Sequence, residues 1–167
     1  GEGAHRVARA VAESIAENPD TRAILVDFVG DGIQETPSTT GVVDVLTGEL
    51  SIDGVLSHMG NLSVMGRGSG DCPAYLWNSE RMRALIEELR QRYDRIVFHV
   101  APVLASHDAL NVAHVADGIV LVIRADSTRR EVVSRAVNML RESRGEVYGA
   151  VLVEPKAVIP DMVYSRI

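Results

Sequence analysis

Ala23-Ile24-Leu25-Val26-Asp27 is an unbroken apolar run closed by a carboxylate. A strand with one wet face alternates apolar and polar residues, whereas a continuous run is expected of a strand buried on both faces of a parallel sheet. Upstream, Val7, Val11 and Ile15 recur at three to four residue spacing with Ala8 and Ala12 beside them. That period predicts a helix over residues 4 to 17, ended by Asn18-Pro19-Asp20. A helix feeding a doubly buried strand is half of a βαβ unit.

The same alternation continues downstream. Val42, Val43 and Leu46 predict a helix stopped by Gly48, and Ile52, Val55 and Leu56 a second short helical run. Leu62-Ser63-Val64-Met65 reads as a strand, with Gly66, Gly68 and Gly70 making its exit. Ser79 is placed to cap a helix carrying Met82, Leu85, Ile86 and Leu89 on one stripe. Arg95 to Val100 predicts another buried strand, residues 106 to 115 a weaker helix, and Gly118 to Ile123 a further strand. Thr128 and Glu131 have the spacing of a capping box for a helix bearing Val132, Val133, Ala136, Val137 and Leu140. Val147 to Val153 closes the pattern as a strand, and residues 155–167, with Pro155 and Pro160, are expected to be irregular. Strands separated by helices imply right-handed crossovers and a mostly parallel sheet covered on both faces, a three-layer α/β/α fold.

The chain has 167 residues, 46% of them hydrophobic and 24% charged, which suits one globular domain over residues 1–167. A net charge of -6 is the wrong sign for a protein whose main partner is a nucleic-acid backbone, so no nucleic-acid partner is expected. One cysteine, Cys72, precludes an internal disulfide and fits a reducing cytoplasmic compartment. Of the 17 basic residues only Lys156 is a lysine. Chemistry that needs a lysine in the first half of the chain has none to use.

Gly1-Glu2-Gly3 stands directly before the first helix, where glycine amides and a helix N-terminus can cradle phosphate. Together with several downstream segments that match in order, it makes the chain resemble the cytoplasmic domain of the bacterial tyrosine kinases (BY-kinases), within the MinD/ParA-like P-loop ATPases. Gly1-Glu2-Gly3 looks like the end of the family's G-E-G-K-[ST]-T loop, and Ile24-Leu25-Val26-Asp27 like the strand ending in its magnesium-associated aspartate. Gly41-Val42-Val43-Asp44-Val45-Leu46-Thr47-Gly48 is similar to G-L-x-D-x-L-x-G. Pro73, Leu76, Ser79 and Met82 fall in its N-P-x-E-L-L-x-S-x-x-M segment, and Tyr93 to Val103 resembles Y-D-x-I-I-I-D-T-P-P-V. Asp108 and Asp117 fit the D-A and A-D positions beyond it. The resemblance implies a P-loop NTPase-like sheet whose first strand lies upstream of Gly1. Without that strand a hydrophobic groove and a rearranged sheet are expected.

The departures from the family fall on its chemistry. Ala4 stands at the lysine position, His5 at the magnesium-binding hydroxyl, Arg6 at the next hydroxyl and His99 at the Walker B aspartate. Among the charged groups only Asp27 is kept. The family uses ATP and Mg²⁺; here Gly1, Glu2, Gly3, Ala4, His5, Arg6, Asp27 and His99 form a vestigial nucleotide site for which no cofactor, metal or catalytic group is expected. Arg6 is expected to replace the cation by pairing with Asp27, which would otherwise be buried alone. The resemblance then implies an inactive module that works with exopolysaccharide synthesis or export proteins or as a homo-oligomer, tethered at the bacterial inner membrane through a co-polymerase segment. Two alternatives stay open: an active ATP-dependent tyrosine kinase or ATPase with unorthodox ligands, and a MinD/ParA-like positioning protein.

Other residues favour plainer readings. His5, His58, His99, His107 and His114 lack metal-ligand spacing, and Ser106-His107-Asp108 are too close in sequence for a nucleophilic triad. Cys72 has no basic neighbour to activate it. Arg124, Arg129 and Arg130 fit either a nucleotide-base region or a solvated helix start. Tyr164 is a candidate for regulatory phosphorylation, standing where the family carries a tyrosine cluster.

Overall fold

β1 (Ala23–Asp27) is buried at every position. The computed structural model describes residues 3–30, 33, 39–71, 75–76, 79–106, 108–125 and 127–154. β1 lies between β3 (Leu62–Met65) and β4 (Arg95–His99) and runs parallel to both, pairing Leu25 with Val64 on one side and Val97 on the other. Successive β1 side chains alternate between two cores, because a strand's side chains point to opposite faces. Ile24 and Val26 join a cluster with Val42 and Leu46 of α2 (Val42–Thr47), with Met82, Leu85, Ile86 and Leu89 of α3 (Glu80–Arg92), and with Val112 of α4 (Asp108–Ala113). Ala23 and Leu25 face Ala12 and Ala16 of α1 (Ala4–Ala16). Two helical layers on one sheet are the predicted α/β/α architecture, and the small alanines let α1 lie close to the strands.

Local signals account for most boundaries. Ser79 caps α3 as expected, its Oγ accepting the Met82 N–H at 3.3 Å. Gly41 starts α2 because its α-carbon lies against the strand exit: a β-carbon there would sit 1.9 Å from the Gly66 carbonyl oxygen. Asp44 accepts the Gly41 N–H at 2.6 Å, so the Gly41-to-Gly48 motif is a capping device. At the entry to the sheet, Arg22 and Asp94 clamp β1 to β4. The Asp94 carboxylate accepts the Arg22 N–H at 3.0 Å and its guanidinium at 2.8 and 3.1 Å, and the Asp94 N–H donates to the Arg22 carbonyl at 2.9 Å.

Two expectations need correction. The run at Ile52, Val55 and Leu56 is a single 3₁₀ turn at Ile52–Gly54 followed by a strand, β2 (Leu56–Met59). β2 pairs antiparallel with β3 across Gly60-Asn61, with Gly60 at φ 60. A two-residue Gly-Asn loop between short apolar segments is a hairpin signal that outranks a weak helical period. The capping box at Thr128 and Glu131 does not form: α5 (Arg130–Glu142) has Arg129 at its N-cap with no side-chain bond, and the Thr128 N–H turns back to the Arg124 carbonyl at 3.2 Å. The sheet is also divided. One part has the order β2-β3-β1-β4, and β5 (Ile119–Arg124) pairs in parallel with β6 (Val147–Val153) in the other. Among the described residues no strand joins β4 to β5. The expected irregular tail at 155–167, with Tyr164, lies outside the described residues, as do Gly1, Glu2, Cys72 and His107.

Candidate functional site

The parallel register of β1 and β4 sets Asp27 directly beside His99, at the C-terminal ends of both strands. The two side chains meet there: His99 Nδ1 donates to Asp27 Oδ1 at 2.8 Å. Both are buried, Asp27 at 4% and His99 at 3% relative exposure, so neither is a surface group that water could satisfy. Asp27 Oδ1 also accepts the Val29 N–H at 2.9 Å and the Gly30 N–H at 3.1 Å, which folds the chain back as it leaves β1. Gly30 takes a φ of 83, in the left-handed region that favours glycine. Burial is the largest influence on the Asp27 carboxyl and pushes its pKa up. Hydrogen bonds from His99, Gly30 and Val29 together outweigh it and hold the carboxyl below its ordinary value.

The surroundings reinforce this pair. The Phe28 N–H donates to the His99 carbonyl at 2.9 Å, and the Phe28 and Phe98 rings stack with centroids 5.7 Å apart. The end of β4 and the exit of β1 are thus held together by backbone, side chain and aromatic contact. Gly3 is the N-cap of α1 with φ 90, and a β-carbon on it would meet Val153 of β6 at 2.9 Å. Ala4 and His5 are half-buried on the first turn of α1, and His5 Nδ1 is shielded from water with no hydrogen-bond partner among the described residues.

Arg6 is exposed and does not pair with Asp27. The ion pair expected from sequence is replaced by Asp27–His99, for a physical reason: residues in register on neighbouring strands are separated by one strand spacing, within reach of two short side chains. A guanidinium on a helix turn stays hydrated at no cost. The sequence points to both Asp27 and His99 as site residues but not to their bond, nor to the Val29 and Gly30 amides. The signal that could have found the bond is that Asp27 closes one predicted strand and His99 stands one residue before the end of another, although the sequence does not say that the two strands are neighbours.

The donor set does not suit Mg²⁺, a hard cation that takes oxygen ligands in octahedral array. Asp27 Oδ1 already accepts three hydrogen bonds, and the neighbouring strand presents an imidazole. Among the described residues no group of three His, Cys, Asp or Glu side chains is placed to hold a metal.

No known protein-family model matches the chain. Tyrosine-protein kinase YwqD of Bacillus subtilis (strain 168) is 32% identical over 118 residues, covering 69% of this chain and 50% of that protein. The chain is a homologue of the bacterial tyrosine kinases. A second relative, the putative tyrosine-protein kinase CapB of Staphylococcus aureus, is 28% identical over 123 residues, covering 72% of this chain and 54% of its own length. The chain therefore spans about half the length of these kinases. Among solved structures, the kinase domain of VpsO superposes with a TM-score of 0.76 at 28% identity, over 91% of this chain and 78% of that one. A ParA family ATPase from Chlorobium tepidum TLS shares the fold, with a TM-score of 0.70 at 15% identity over 99% of this chain and 74% of that one. The bacterial tyrosine kinases and ParA-like P-loop ATPases thus share the mixed α/β, mostly parallel architecture seen here.

Proposed function

We propose that this chain is a catalytically inactive relative of the bacterial tyrosine kinases, an interaction or regulatory module in exopolysaccharide biosynthesis or export. One observation carries the reading: the Asp27 carboxylate, which in the resembled family attends magnesium, is here bonded to a buried imidazole at 2.8 Å. Ala4 and His5 replace the lysine and hydroxyl of the phosphate loop. Phosphoryl transfer depends almost wholly on positioning and electrostatic stabilisation, which a methyl group and an imidazole do not supply. The surrounding scaffold, including the Gly41–Asp44 cap and the two-sided core, is retained. A retained fold around a changed site suits a domain whose remaining work is to bind partners, among them exopolysaccharide synthesis or export proteins and other copies of itself.

Among the described residues no helix is long and apolar enough to cross a membrane. We place the domain on the cytoplasmic side, tethered at the inner membrane through a co-polymerase segment or a separate co-polymerase partner. Isothermal titration with ATP and Mg²⁺, paired with an autophosphorylation assay, tests the inactive reading. No heat and no phosphotyrosine are expected. Micromolar magnesium-dependent binding would overturn it in favour of an active kinase or ATPase with unorthodox ligands.

A further inference from the structure

We propose that α5 and the turn after it form a docking face for an anionic lipid surface, which lays the domain against the membrane in one orientation. The proposal rests on the inner-membrane placement given above and adds the face that meets the lipid. Residues 129–144 carry five arginines, Arg129, Arg130, Arg135, Arg141 and Arg144, against two glutamates, Glu131 and Glu142. This stretch is therefore +3 in a chain whose net charge is -6, and the rest of the chain sums to -9. Only such a local patch can turn an acidic protein toward a negative surface.

The fold turns these arginines to water. Leu140 is buried and Val133, Ala136 and Val137 are half-buried, so one side of α5 faces inward, while all five arginines are exposed. Arg129 stands at the N-cap and Arg144 directly follows the C-cap, which spreads the charge over the roughly 20 Å that thirteen helical residues span. Elsewhere the arginines are engaged: Arg9, Arg22, Arg83 and Arg92 each meet a carboxylate, and Arg81 and Arg90 donate to main-chain carbonyls. Among the described residues none of the five guanidiniums on or beside α5 meets either, although Glu131 stands four residues ahead of Arg135. Charge that the chain does not neutralise itself is available to a partner. A lipid surface can meet several such groups at once without holding any of them in a fixed seat. Val132 of α5 is 41% exposed and Leu152 of β6, the strand on which α5 packs, is 65% exposed, which adds apolar contact at headgroup level. A second copy is the poorer partner, because its Asp53, Glu80, Glu88 and Asp94 are already held by arginines of their own chain.

Cosedimentation of the chain with vesicles tests it. Vesicles of phosphatidylglycerol and phosphatidylcholine in equal parts should bind at least about tenfold more tightly than phosphatidylcholine alone, and 1 M NaCl should abolish the difference. Each arginine near an anionic surface contributes about fivefold, so Arg130→Gln, Arg135→Gln and Arg141→Gln combined should weaken binding at least about tenfold. Lysine at the same three positions should keep it, since the charge is retained. Glutamine at Arg83, Arg90 and Arg95, a charge-matched control away from α5, should change it about threefold or less. Glu131→Gln with Glu142→Gln should tighten binding and gives a readout even if the glutamine variant of α5 does not fold. Equal binding to the two kinds of vesicle, equal loss in the control, or no gain on removing the two glutamates overturns the proposal. Loss with lysine overturns it in favour of a bidentate seat for an acidic peptide. Self-association that the three α5 glutamines abolish overturns it in favour of a second copy. The vesicle and ATP measurements fail independently: no vesicle binding removes the docking face alone, and magnesium-dependent ATP binding removes the inactive reading alone.

Discussion

Asp27 and His99 are bonded across the β1–β4 ladder at 2.8 Å, both nearly inaccessible to water. A buried carboxylate without a partner is costly, and truncating one member of a buried pair leaves the other uncompensated. His99→Ala removes the imidazole while Asp27 keeps only the Val29 and Gly30 amides. The expected loss of folding stability is about 3 kcal/mol. Urea denaturation monitored by circular dichroism checks it; a loss under about 1 kcal/mol would place the pair among ordinary neutral hydrogen bonds.

The pH dependence rests on two carboxylates. Asp94 is held at about 2 against an ordinary 3.8, first by the Arg22 side-chain hydrogen bond, then by the Arg22 amide. Asp27 is also lowered. A carboxyl depressed in the folded state contributes stability above its unfolded value, and loses it as pH falls through the folded value. Stability is therefore expected to be level above about pH 5 and to decline from there toward pH 2. Urea midpoints measured across that window should fall for the natural chain, and less steeply for Asp94→Asn. Because the Arg22–Asp94 pair is exposed, 1 M NaCl should narrow the difference between the two.

Two glycines separate close approach from backbone conformation. At Gly41 a β-carbon would collide with the Gly66 carbonyl oxygen at 1.9 Å and the Gly68 nitrogen at 2.6 Å, both backbone atoms. At Gly60 a β-carbon would meet nothing within 4 Å, and only the left-handed φ of 60 opposes it. Gly60→Ala is expected to cost about 1 kcal/mol. Gly41→Ala should cost upwards of about 4 kcal/mol, the range reserved for core disruption and strain. Comparable thermal midpoints for the two variants would show that the α2 entry yields more easily than its contacts imply.

How much of the fold and site is legible in sequence depends on the range of the interaction. β1 is readable from five residues because burial on both faces leaves a local apolar signature, and Ser79 is readable because a cap bonds only three residues away. β2 goes unread, its first residue Leu56 counted into the helical run that begins at Ile52, since four residues carry too little period to mark a strand, although Gly60-Asn61 holds the deciding signal. Thr128 has the right spacing for a cap, but the backbone starts its helix one residue later. The Asp27–His99 bond spans 72 residues of sequence. Its geometry exists only once β1 and β4 are in register, so the residues are visible as candidates while their pairing is not.

An aspartate at position 99, where the proposed reading sets the family's Walker B aspartate, tests what His99 does. His99→Asp sets two carboxylates side by side in the β1–β4 register, with burial at both positions and no imidazole between them. Like charges so placed cannot both ionise cheaply, so one should take up a proton and the fold should be weaker at neutral pH than in the natural chain. Two oxygen donors, however, suit a divalent cation better than an imidazole and a carboxylate. A ligand that binds only the folded state raises its stability by mass action, so 10 mM Mg²⁺ should raise the thermal midpoint of His99→Asp while leaving the natural chain unmoved. ATP turnover should still be absent on the proposed reading, which sets Ala4 and His5 at the lysine and hydroxyl positions of the phosphate loop. A magnesium-induced shift of equal size in the natural chain would show that Asp27 binds the cation despite His99, and the inactive reading would lose its principal support.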